Sequence, residues 1–335
     1  MQITDTNAFI ERIFSVQSKT EFEKLALDVF QFQYANNKVY QAYIDMLKKV
    51  PESVKAIENI PFLPISFFKT HEVICGDIAK YDKVFFSSTT TSSTPSRHFV
   101  KDSSVYVKSF RKGFEHFYGD IKDYCVLALL PSYLEREGSS LVFMAEDMIK
   151  CSGHARSGFY MNNYKELVEA IVELESQNQK IVLLGVTYAL LKLAEEHPMP
   201  LKNTVIMETG GMKGKREELP KLEVHKILKK AFGLDSIHSE YGMTELLSQA
   251  YSKGDGIFTC PPWMKIGVRD LYDPFKVDFN AGSGAINIID LANINSCSFI
   301  ATDDMGFLHD NSNFEVSGRI DYSDIRGCNL MAEEL

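Results

Sequence analysis

The sequence has no long apolar run and no cluster of basic residues. No stretch approaches the roughly 20 apolar residues of a membrane-spanning helix, so we expect no membrane span. The formal net charge is −9, and without a Lys/Arg-rich stripe the chain is not expected to bind nucleic acid. The first residues, MQITDTNAFIERIF, lack the basic and apolar regions of a signal peptide. Together these absences predict a cytoplasmic protein.

The cysteines lack the spacings of a metal site. They are scattered along the chain, without a CxxC pair and without clustering with histidine. This excludes the usual zinc motifs and argues against a disulfide framework, so we expect most of them to be buried thiols. A GxSxG motif is missing as well, which sets aside a serine hydrolase with a nucleophile elbow.

What the chain does have is an alternation of predicted helices and strands. Its 335 residues are enough for two packed lobes, because single cores stop growing at about 250–300 residues. Residues 1–60 show helical periodicity, and their aromatic stripe is more typical of a core than of a ligand pocket. Helical stretches at 102–118, 164–177, 187–196 and 215–232 alternate with apolar strand candidates at 124–131, 180–186, 203–210 and 235–242. This alternation predicts an α/β fold with a parallel sheet.

The sequence pattern changes at two places along the chain. Prolines break the N-terminal helices before an apolar segment at 60–69 that we expect to be extended. From about residue 255 short β-type segments indicate a smaller, β-rich lobe. We therefore divide the chain into an N-terminal helical part of the large domain (1–84), an α/β core (85–254), a β-rich subdomain (255–320) and a short C-terminal tail (321–335).

The most unusual stretch is Phe85–His98, FFSSTTTSSTPSRH. Two apolar residues precede an unbroken run of Ser and Thr from Ser87 to Thr94, which favours a loop leaving a strand over a helix interior. The N–H and O–H groups of such a loop can converge on a polyphosphate. The alternative is a solvated Ser/Thr linker. His98 either faces the site or packs against the loop.

Two more polar stretches follow apolar strands. In METGGMKGK (207–215) the pair Gly210–Gly211 permits close backbone approach to a flat ligand, although a plain turn has the same composition. In HSEYGMTE (238–245) Tyr241 offers a ring face for a heterocycle, Thr244 a hydroxyl for a phosphate, and Glu245 a carboxylate for Mg²⁺. The alternative for this second stretch is a turn with a helix N-cap at Thr244.

Three stretches near the C-terminus complete a series. ATDDMGFLH (301–309), SGRID (317–321) and IRGCNL (325–330) supply a carboxylate for ribose hydroxyls and arginines for a nucleotide. Each is weak alone, but the succession of Ser/Thr loop, Gly pair, YGMTE, TDDMG, GRID and RGC resembles the adenylate-forming superfamily of acyl-CoA synthetases, luciferases and peptide-synthetase adenylation domains. LPSYLEREGSSLVFM (130–144), GGMKG and RGC most resemble the LuxE-type acyl-protein synthetases.

The resemblance covers residues 85–328 and implies a fold and a set of contacts. The implied fold is the α/β N-terminal-domain fold of that superfamily, with parallel and mixed sheets flanked by helices and a smaller β-rich subdomain. The loop Ser87–Ser96 would hold the β- and γ-phosphates of ATP, through Ser87, Ser88, Thr89, Thr90, Thr91 and Ser92. Gly210, Gly211 and Tyr241 match the adenine pocket, Thr244 and Glu245 the α-phosphate and Mg²⁺ contacts, and Asp304 and Arg319 the ribose and phosphate contacts. Cys328 matches the cysteine that LuxE-type proteins acylate.

Two departures from the superfamily pattern stand out. Thr89 and Ser92 occupy positions where the phosphate loop usually has glycine, which costs roughly 1 kcal/mol wherever the backbone is left-handed and bears on ATP affinity. Only residues 320–335 follow Arg319, so we expect the C-terminal lid domain to be absent, as in LuxE-type chains. Outside this context Cys328 would be interpreted as an inert thiol near a chain end.

The resemblance implies an ATP- and Mg²⁺-dependent acid–thiol ligase. It would activate a carboxylic acid, expected to be a long-chain fatty acid, as the acyl-adenylate. It would then pass the acyl group to a thiol, expected to be Cys328, and a reductase or acyltransferase protein would be the partner. Two alternatives stay open: acyl transfer to CoA or a carrier protein, and a non-catalytic subunit that binds acyl groups or nucleotides.

Overall fold

The computed structural model describes residues 6–88, 94–131, 138–210, 219–309 and 313–320. Its helices are α1 Thr6–Ile13, α2 Lys19–Asn36, α3 Lys38–Met46, α4 Phe67–Thr70, α5 Ser103–Tyr118, α6 Ser140–Ser152, α7 Tyr164–Ser176, α8 Thr187–Glu196 and α9 Lys221–Phe232. Several begin at a capping side chain: Ser18, Asn37 and Asn163 each accept a hydrogen bond from an N–H of the first turn, which satisfies donors that the helix leaves unpaired. None of the described helices is long and apolar enough to cross a membrane.

The strands form one large sheet and one small hairpin. They are β1 Leu63–Pro64, β2 Lys83–Phe86, β3 Arg97–Val100, β4 Tyr124–Leu129, β5 Gly158–Phe159, β6 Lys180–Gly185, β7 Thr204–Glu208, β8 His238–Tyr241, β9 Ala250–Ser252, β10 Ile257–Thr259, β11 Met264–Arg269, β12 Val277–Asp278, β13 Gly282–Asp290, β14 Phe299–Leu308 and β15 Asn313–Arg319. The large sheet has 13 strands in the order β12-β11-β13-β14-β15-β10-β9-β8-β7-β6-β4-β5, and β1 pairs with β14 outside this path. Among the described residues, strands β2 and β3 pair only with each other.

The parallel half of the sheet is the part that the strand–helix alternation predicted. Strands β5, β4, β6, β7 and β8 are parallel neighbours, and every residue of β4 is buried. Alternate side chains of β4 enter different core clusters: Val126 and Ala128 pack with the N-terminal helices, and Leu127 and Leu129 pack with α7, α8 and α9. Burial on both faces explains why this strand is continuously apolar.

Beyond β8 the sheet becomes antiparallel. Strand β8 pairs antiparallel with β9, and the same sense continues through β10, β15, β14, β13 and β11. The domain boundary expected between residues 254 and 255 falls between β9 and β10, which pair with each other through Ser252 and Phe258. The β-rich segments therefore extend the same sheet as the α/β core.

The N-terminal helices provide part of the main core. Phe9, Ile13, Phe22 and Phe30 are buried there, which confirms that the aromatic stripe is core. The segment at 60–69 is extended only at Leu63–Pro64 and becomes helix α4 from Phe67 onward. This helical turn is favoured because it buries the Phe68 side chain completely.

Candidate active site

The Ser/Thr run joins the antiparallel strands β2 and β3. Ser87 closes the base of this hairpin: its N–H donates to Ser96 O at 3.1 Å, and its Oγ accepts from the Ser96 N–H at 2.9 Å. Ser88 follows and is exposed. The ends of the run are therefore fixed, as in a loop after a strand and unlike a free linker. The other predicted phosphate contacts, Thr89, Thr90, Thr91 and Ser92, lie outside the described residues.

Gly210 follows β7 in a left-handed conformation, with a φ of 72°. Its N–H donates to Glu208 Oε1 at 2.7 Å, and its carbonyl accepts from the Thr187 N–H at 3.1 Å. The position favours glycine because of this φ rather than through crowding, since no described heavy atom lies within 4 Å of the place that a Cβ would take. Gly211 lies outside the described residues.

Glu208 is a buried carboxylate that fixes this turn. Besides Gly210, it accepts hydrogen bonds from Thr187 Oγ1 and from Ser239 Oγ at 3.3 Å, and its Oε2 lies 3.4 Å from Lys221 Nζ. Burial raises the pKa of Glu208, but the charge of Lys221 and the hydrogen bonds from Thr187 and Gly210 outweigh burial, and the pKa lies below its usual value. Glu208 is therefore ionised, and it ties α8, β8 and α9 to the turn at Gly210.

Three residues predicted to contact the nucleoside meet in space. Tyr241 ends β8, and its Oη donates to Asp304 Oδ2 at 2.8 Å. Asp304 lies opposite Arg319 in the β14–β15 pair, and Arg319 Nε is 3.4 Å from Asp304 Oδ1. The Arg319 side chain is 69% exposed, so this ion pair adds little stability and the guanidinium is accessible to an anionic ligand. Burial and the charge of Asp304 raise the pKa of Tyr241 well above its usual value, so the phenol keeps its proton.

Thr244 and Glu245 lie just beyond Tyr241, in a segment that is neither helix nor strand. The alternative of a helix N-cap at Thr244 is therefore wrong, because the chain continues irregularly to β9. The Glu245 side chain is buried. Burial raises the pKa of Glu245, and the Ser96 side chain and the charges of Lys69 and Arg319 oppose that rise. The predicted metal ligand is thus close enough to the base of the hairpin for the Ser96 side chain to affect its pKa.

His98 connects the hairpin to the same segment. It lies on β3, is completely buried, and packs edge-on against Phe68 with ring centroids 5.7 Å apart. Its Nδ1 donates to Thr244 O at 2.8 Å, and its Nε2 is 3.0 Å from Asn293 Oδ1. Burial lowers the pKa of His98 to about 4, and these two acceptors oppose the shift. His98 is thus enclosed by Phe68, Thr244 and Asn293.

Asp290 ends β13, and Asn293 follows it in the chain before β14. Asn293 Nδ2 donates to Glu245 O at 2.8 Å. Asp290 Oδ2 accepts from the N–H groups of Leu247 and Ser248 at 2.8 and 3.0 Å, and Asp290 Oδ1 accepts from Ser248 Oγ at 2.6 Å. Burial raises the pKa of Asp290 to about 6, against the effect of these hydrogen bonds. Buried polar side chains therefore hold the backbone of residues 244–248.

The contacts link most of the predicted residues that the structure describes. Ser87 is bonded to Ser96, whose side chain affects the pKa of Glu245, and Tyr241, Asp304 and Arg319 form a second group whose arginine charge acts on Glu245. Because Glu208 lies opposite Ser239 in the parallel β7–β8 pair, Gly210 and Tyr241 emerge at the same sheet edge. Cys328 lies outside the described residues, and Cys75, Cys125 and Cys297 are buried free thiols, as expected.

Sequence reasoning missed Lys69, Glu208, Asp290 and Asn293. Glu208 lies in METGGMKGK but was given no role there, and the contacts of these residues join parts of the chain that are far apart in sequence. Two weak signals were present: Glu208 is a charged residue at the end of an apolar strand, just before the Gly pair, and Asp290 ends the apolar run of β13. A carboxylate at the end of a buried strand needs partners, and such partners mark a site or a structural anchor.

No protein-family model and no curated protein matches this chain. Several solved structures do match it. A 2-hydroxyisobutyryl-CoA ligase, in complex with 2-HIB-AMP and CoA, superposes with a TM-score of 0.67 at 13% identity, over 92% of this chain and 70% of the ligase. The luciferase-like enzyme of the nonluminescent mealworm Zophobas morio superposes with a TM-score of 0.51 at 14% identity, over 73% of this chain and 59% of that enzyme. The chain therefore has the mixed α/β fold of the N-terminal domain of adenylate-forming enzymes, as its sequence predicted.

Proposed function

We propose that this chain activates a carboxylic acid with ATP to give an acyl-adenylate and pyrophosphate. The observation that carries the proposal is the hydrogen bond at 2.8 Å from His98 Nδ1, on the strand that follows the Ser/Thr run, to the carbonyl of Thr244, the residue before Glu245. This contact brings a loop rich in hydrogen-bond donors for phosphate next to the buried carboxylate of Glu245. The group formed by Tyr241, Asp304 and Arg319 supplies the surface for a nucleoside.

In this reaction the residues bind and orient, and none has to remove a proton. A carboxylate oxygen of the substrate attacks the α-phosphorus of ATP, and the bond to the pyrophosphate oxygen breaks. The carboxylic acid is already ionised at neutral pH, so rate enhancement rests on alignment and charge neutralisation. The hairpin would hold the departing phosphates, Thr244 the α-phosphate, Asp304 the ribose hydroxyls, and Arg319 the adjacent negative charge.

The residues present fit a single Mg²⁺. This ion is typically held by one or two carboxylates together with phosphate oxygens, and Glu245 offers one buried carboxylate beside the hairpin. Its raised pKa, caused by burial, indicates a carboxylate that a cation would stabilise in its charged form. When bound, Mg²⁺ would neutralise charge on the phosphates of ATP.

The second step of the proposal transfers the acyl group to Cys328. The thiolate attacks the carbonyl carbon, the bond to AMP breaks, and a thioester forms. Ile320 N–H donates to Asp303 O at 2.8 Å, next to the predicted ribose contact. From there residues 320–328 reach at most about 29 Å, at up to 3.6 Å per residue, which is enough to return to a neighbouring site.

The finer features of the proposal follow the resemblance to LuxE-type acyl-protein synthetases. The acid would be a long-chain fatty acid, and the acylated chain would pass its acyl group to a reductase or acyltransferase protein in the cytoplasm. In this view residues 85–254 and 255–320 form the nucleotide-binding core and the β-rich subdomain, and 321–335 the acylated tail.

Carboxylate-dependent exchange between ATP and labelled pyrophosphate tests the first step, across a series of acids of increasing chain length. Asp304→Asn should lower kcat/KM for ATP by about tenfold to a hundredfold, because it removes a charged hydrogen-bond acceptor. Asp303→Asn is the matched control, since the adjacent residue of β14 points to the other face, and its kcat/KM should stay near that of the wild type. Exchange that is undetectable with every acid would refute activation and favour a non-catalytic binding subunit.

Labelled fatty acid with ATP tests the second step. The label should stay on the wild-type chain and be absent from Cys328→Ser, while pyrophosphate exchange is retained. Cys151→Ser, which changes a partly exposed cysteine on α6, should keep the label. Undiminished thioester in Cys328→Ser would eliminate that cysteine as the acceptor, and label that leaves the chain only when CoA or a carrier protein is added would identify an external acceptor.

A further inference from the structure

We propose that His98 and Asn293 are positioning residues that fix Thr244 and Glu245 relative to the Ser/Thr hairpin. We call this pair the latch. The inference rests on the proposed function, because it assigns the latch the task of holding the phosphate loop and the Mg²⁺ ligand in one geometry. Neither residue needs to touch the substrate.

The first step of the argument concerns the backbone of residues 242–249. This stretch is described as neither helix nor strand, and it is buried from Glu245 onward. Buried backbone carbonyls need hydrogen-bond partners, and here side chains supply them. Thr244 O accepts from His98 Nδ1 at 2.8 Å, and Glu245 O accepts from Asn293 Nδ2 at 2.8 Å.

The second step fixes the orientation of Asn293. Its Nδ2 also donates to Cys297 O at 3.0 Å, so one amide nitrogen serves two carbonyl oxygens. A flipped amide would place Oδ1 against both carbonyls, and acceptors facing acceptors repel. Asn293 Oδ1 therefore has to face His98 Nε2, 3.0 Å away. Each member of the latch holds one residue of the Thr244–Glu245 pair. The neutral imidazole has one N–H, which Nδ1 donates to Thr244 O, so the approach of Nε2 to Asn293 Oδ1 is a packing contact between the two members.

The third step connects the latch to the phosphate loop. His98 lies on β3, which begins at Arg97, directly after Ser96. Ser96 closes the hairpin with Ser87. The strand that follows the loop therefore holds Thr244 through His98, and Asn293, which contacts His98, holds the carbonyl of Glu245. Without the latch, residues 242–249 should shift relative to the Ser/Thr loop, while the strands of the large sheet stay paired.

Hydrogen exchange of the free protein tests the latch without any substrate. Asn293→Leu has nearly the same shape but no donors, and it should speed amide exchange in peptides that cover residues 243–249 and 94–100. Asn295→Leu is the matched control, because Asn295 is a buried asparagine of the same turn whose Oδ1 has no partner among the described residues. Equal protection of both peptides in Asn293→Leu and the wild type would overturn the latch.

The histidine permits a test that separates positioning from packing. An asparagine at position 98 places its amide nitrogen near the Nδ1 position, and a glutamine places its own near Nε2. His98→Asn should therefore keep the bond to Thr244 O and retain a KM for MgATP close to the wild type. His98→Gln should raise this KM about tenfold, the change that corresponds to 1.4 kcal/mol, with melting temperatures similar in the two variants.

The outcomes distinguish the latch from the proposed function. Equal KM values for His98→Asn and His98→Gln would mean that His98 only fills space beside Phe68, and this would overturn the latch. If Asn293→Leu does not fold, the histidine pair decides the question alone. If the wild type shows no pyrophosphate exchange, the proposed function fails, and the hydrogen-exchange comparison then decides whether the latch holds the segment.

Discussion

Lys221 and Glu208 form an ion pair whose strength the structure allows us to estimate. Lys221 Nζ is 3.4 Å from Glu208 Oε2, and the exposed fractions of the two side chains are 31% and 4%. Lys221→Met removes the charge and keeps most of the apolar stem. Glu208 would then be a buried carboxylate without its cation, and the turn at Gly210 that it holds would be weakened.

Two effects set the expected cost. Breaking a fully buried ion pair by removing one partner costs about 3–5 kcal/mol. Here Thr187, Ser239 and the Gly210 N–H still donate to Glu208, and Lys221 is about one third exposed to solvent, which screens its charge. We therefore expect Lys221→Met to lower the free energy of unfolding by about 2 kcal/mol, a large part of the 5–15 kcal/mol typical of a folded domain.

A double-mutant cycle isolates the pair from the effects of each substitution alone. Urea unfolding of the wild type, Lys221→Met, Glu208→Gln and the double variant should give a coupling energy of about 1–2 kcal/mol. The matched control is the cycle Lys150→Met with Glu146→Gln on α6. That pair is closer, at 2.7 Å, but its side chains are 70% and 34% exposed, so we expect about 0.3–0.5 kcal/mol.

The comparison of the two cycles shows whether distance or burial governs the strength of the ion pair. If distance governed the interaction, the Lys150–Glu146 pair would couple more strongly. If burial governs it, the Lys221–Glu208 pair will. A coupling energy for the buried pair that is no larger than that of the exposed pair would refute the view that Lys221 keeps Glu208 ionised.

Two further predictions concern acid stability and glycine positions. Burial lowers the pKa of His238 to about 4, below that of a free histidine. Between about pH 6.5 and 4 the folded chain therefore binds fewer protons than the unfolded chain, and the free energy of unfolding should fall as the pH drops. We expect a total loss of about 2 kcal/mol, after reducing the effect for screening by solvent. His238→Asn should flatten this part of the melting-temperature profile; parallel profiles would contradict the assignment. Gly113→Ala on α5, where the nearest atom to a new Cβ is 3.9 Å away, should stabilise by about 0.5–1 kcal/mol in urea. Gly306→Ala should destabilise, because its Cβ would lie 2.4 Å from Glu315 O; equal midpoints for the two alanine variants would contradict the packing argument.

The sequence predicted those parts of the fold that local patterns encode. Strand β4 is continuously apolar because both of its faces are buried, and α7 and α8 repeat their apolar residues at helical spacing. The hairpin loop was recognisable because only loops tolerate so many consecutive Ser and Thr residues. Helix α4 was missed because the 60–69 segment has too few residues to distinguish a buried turn from a strand, and tertiary burial of Phe68 decides between them.

The side-chain partners of the site could not be predicted in the same way. Tyr241 and Asp304 meet although β9, β10 and β15 lie between β8 and β14 in the sheet order, and neither this order nor the contact follows from local periodicity. Asn293 lies 195 residues after His98 along the chain. In the sequence it was part of GAINIIDLAN, which reads as an ordinary β segment. Motif order indicated candidate residues, whereas the contacts among them depend on the three-dimensional arrangement of distant strands.

The position of the site and its dependence on buried polar side chains have a common cause. Strand β8 is the junction of the sheet, parallel to β7 on one side and antiparallel to β9 on the other. After Tyr241 the chain must reverse direction to form β9, so residues 242–249 cannot join either neighbour and have to run irregularly through the core. Their polar groups then need side-chain partners, which His98, Asn293 and Asp290 supply. The segment that we propose to bind the nucleotide is consequently fixed by side chains from outside it, so changes at these three residues should alter the proposed site without contacting the ligand.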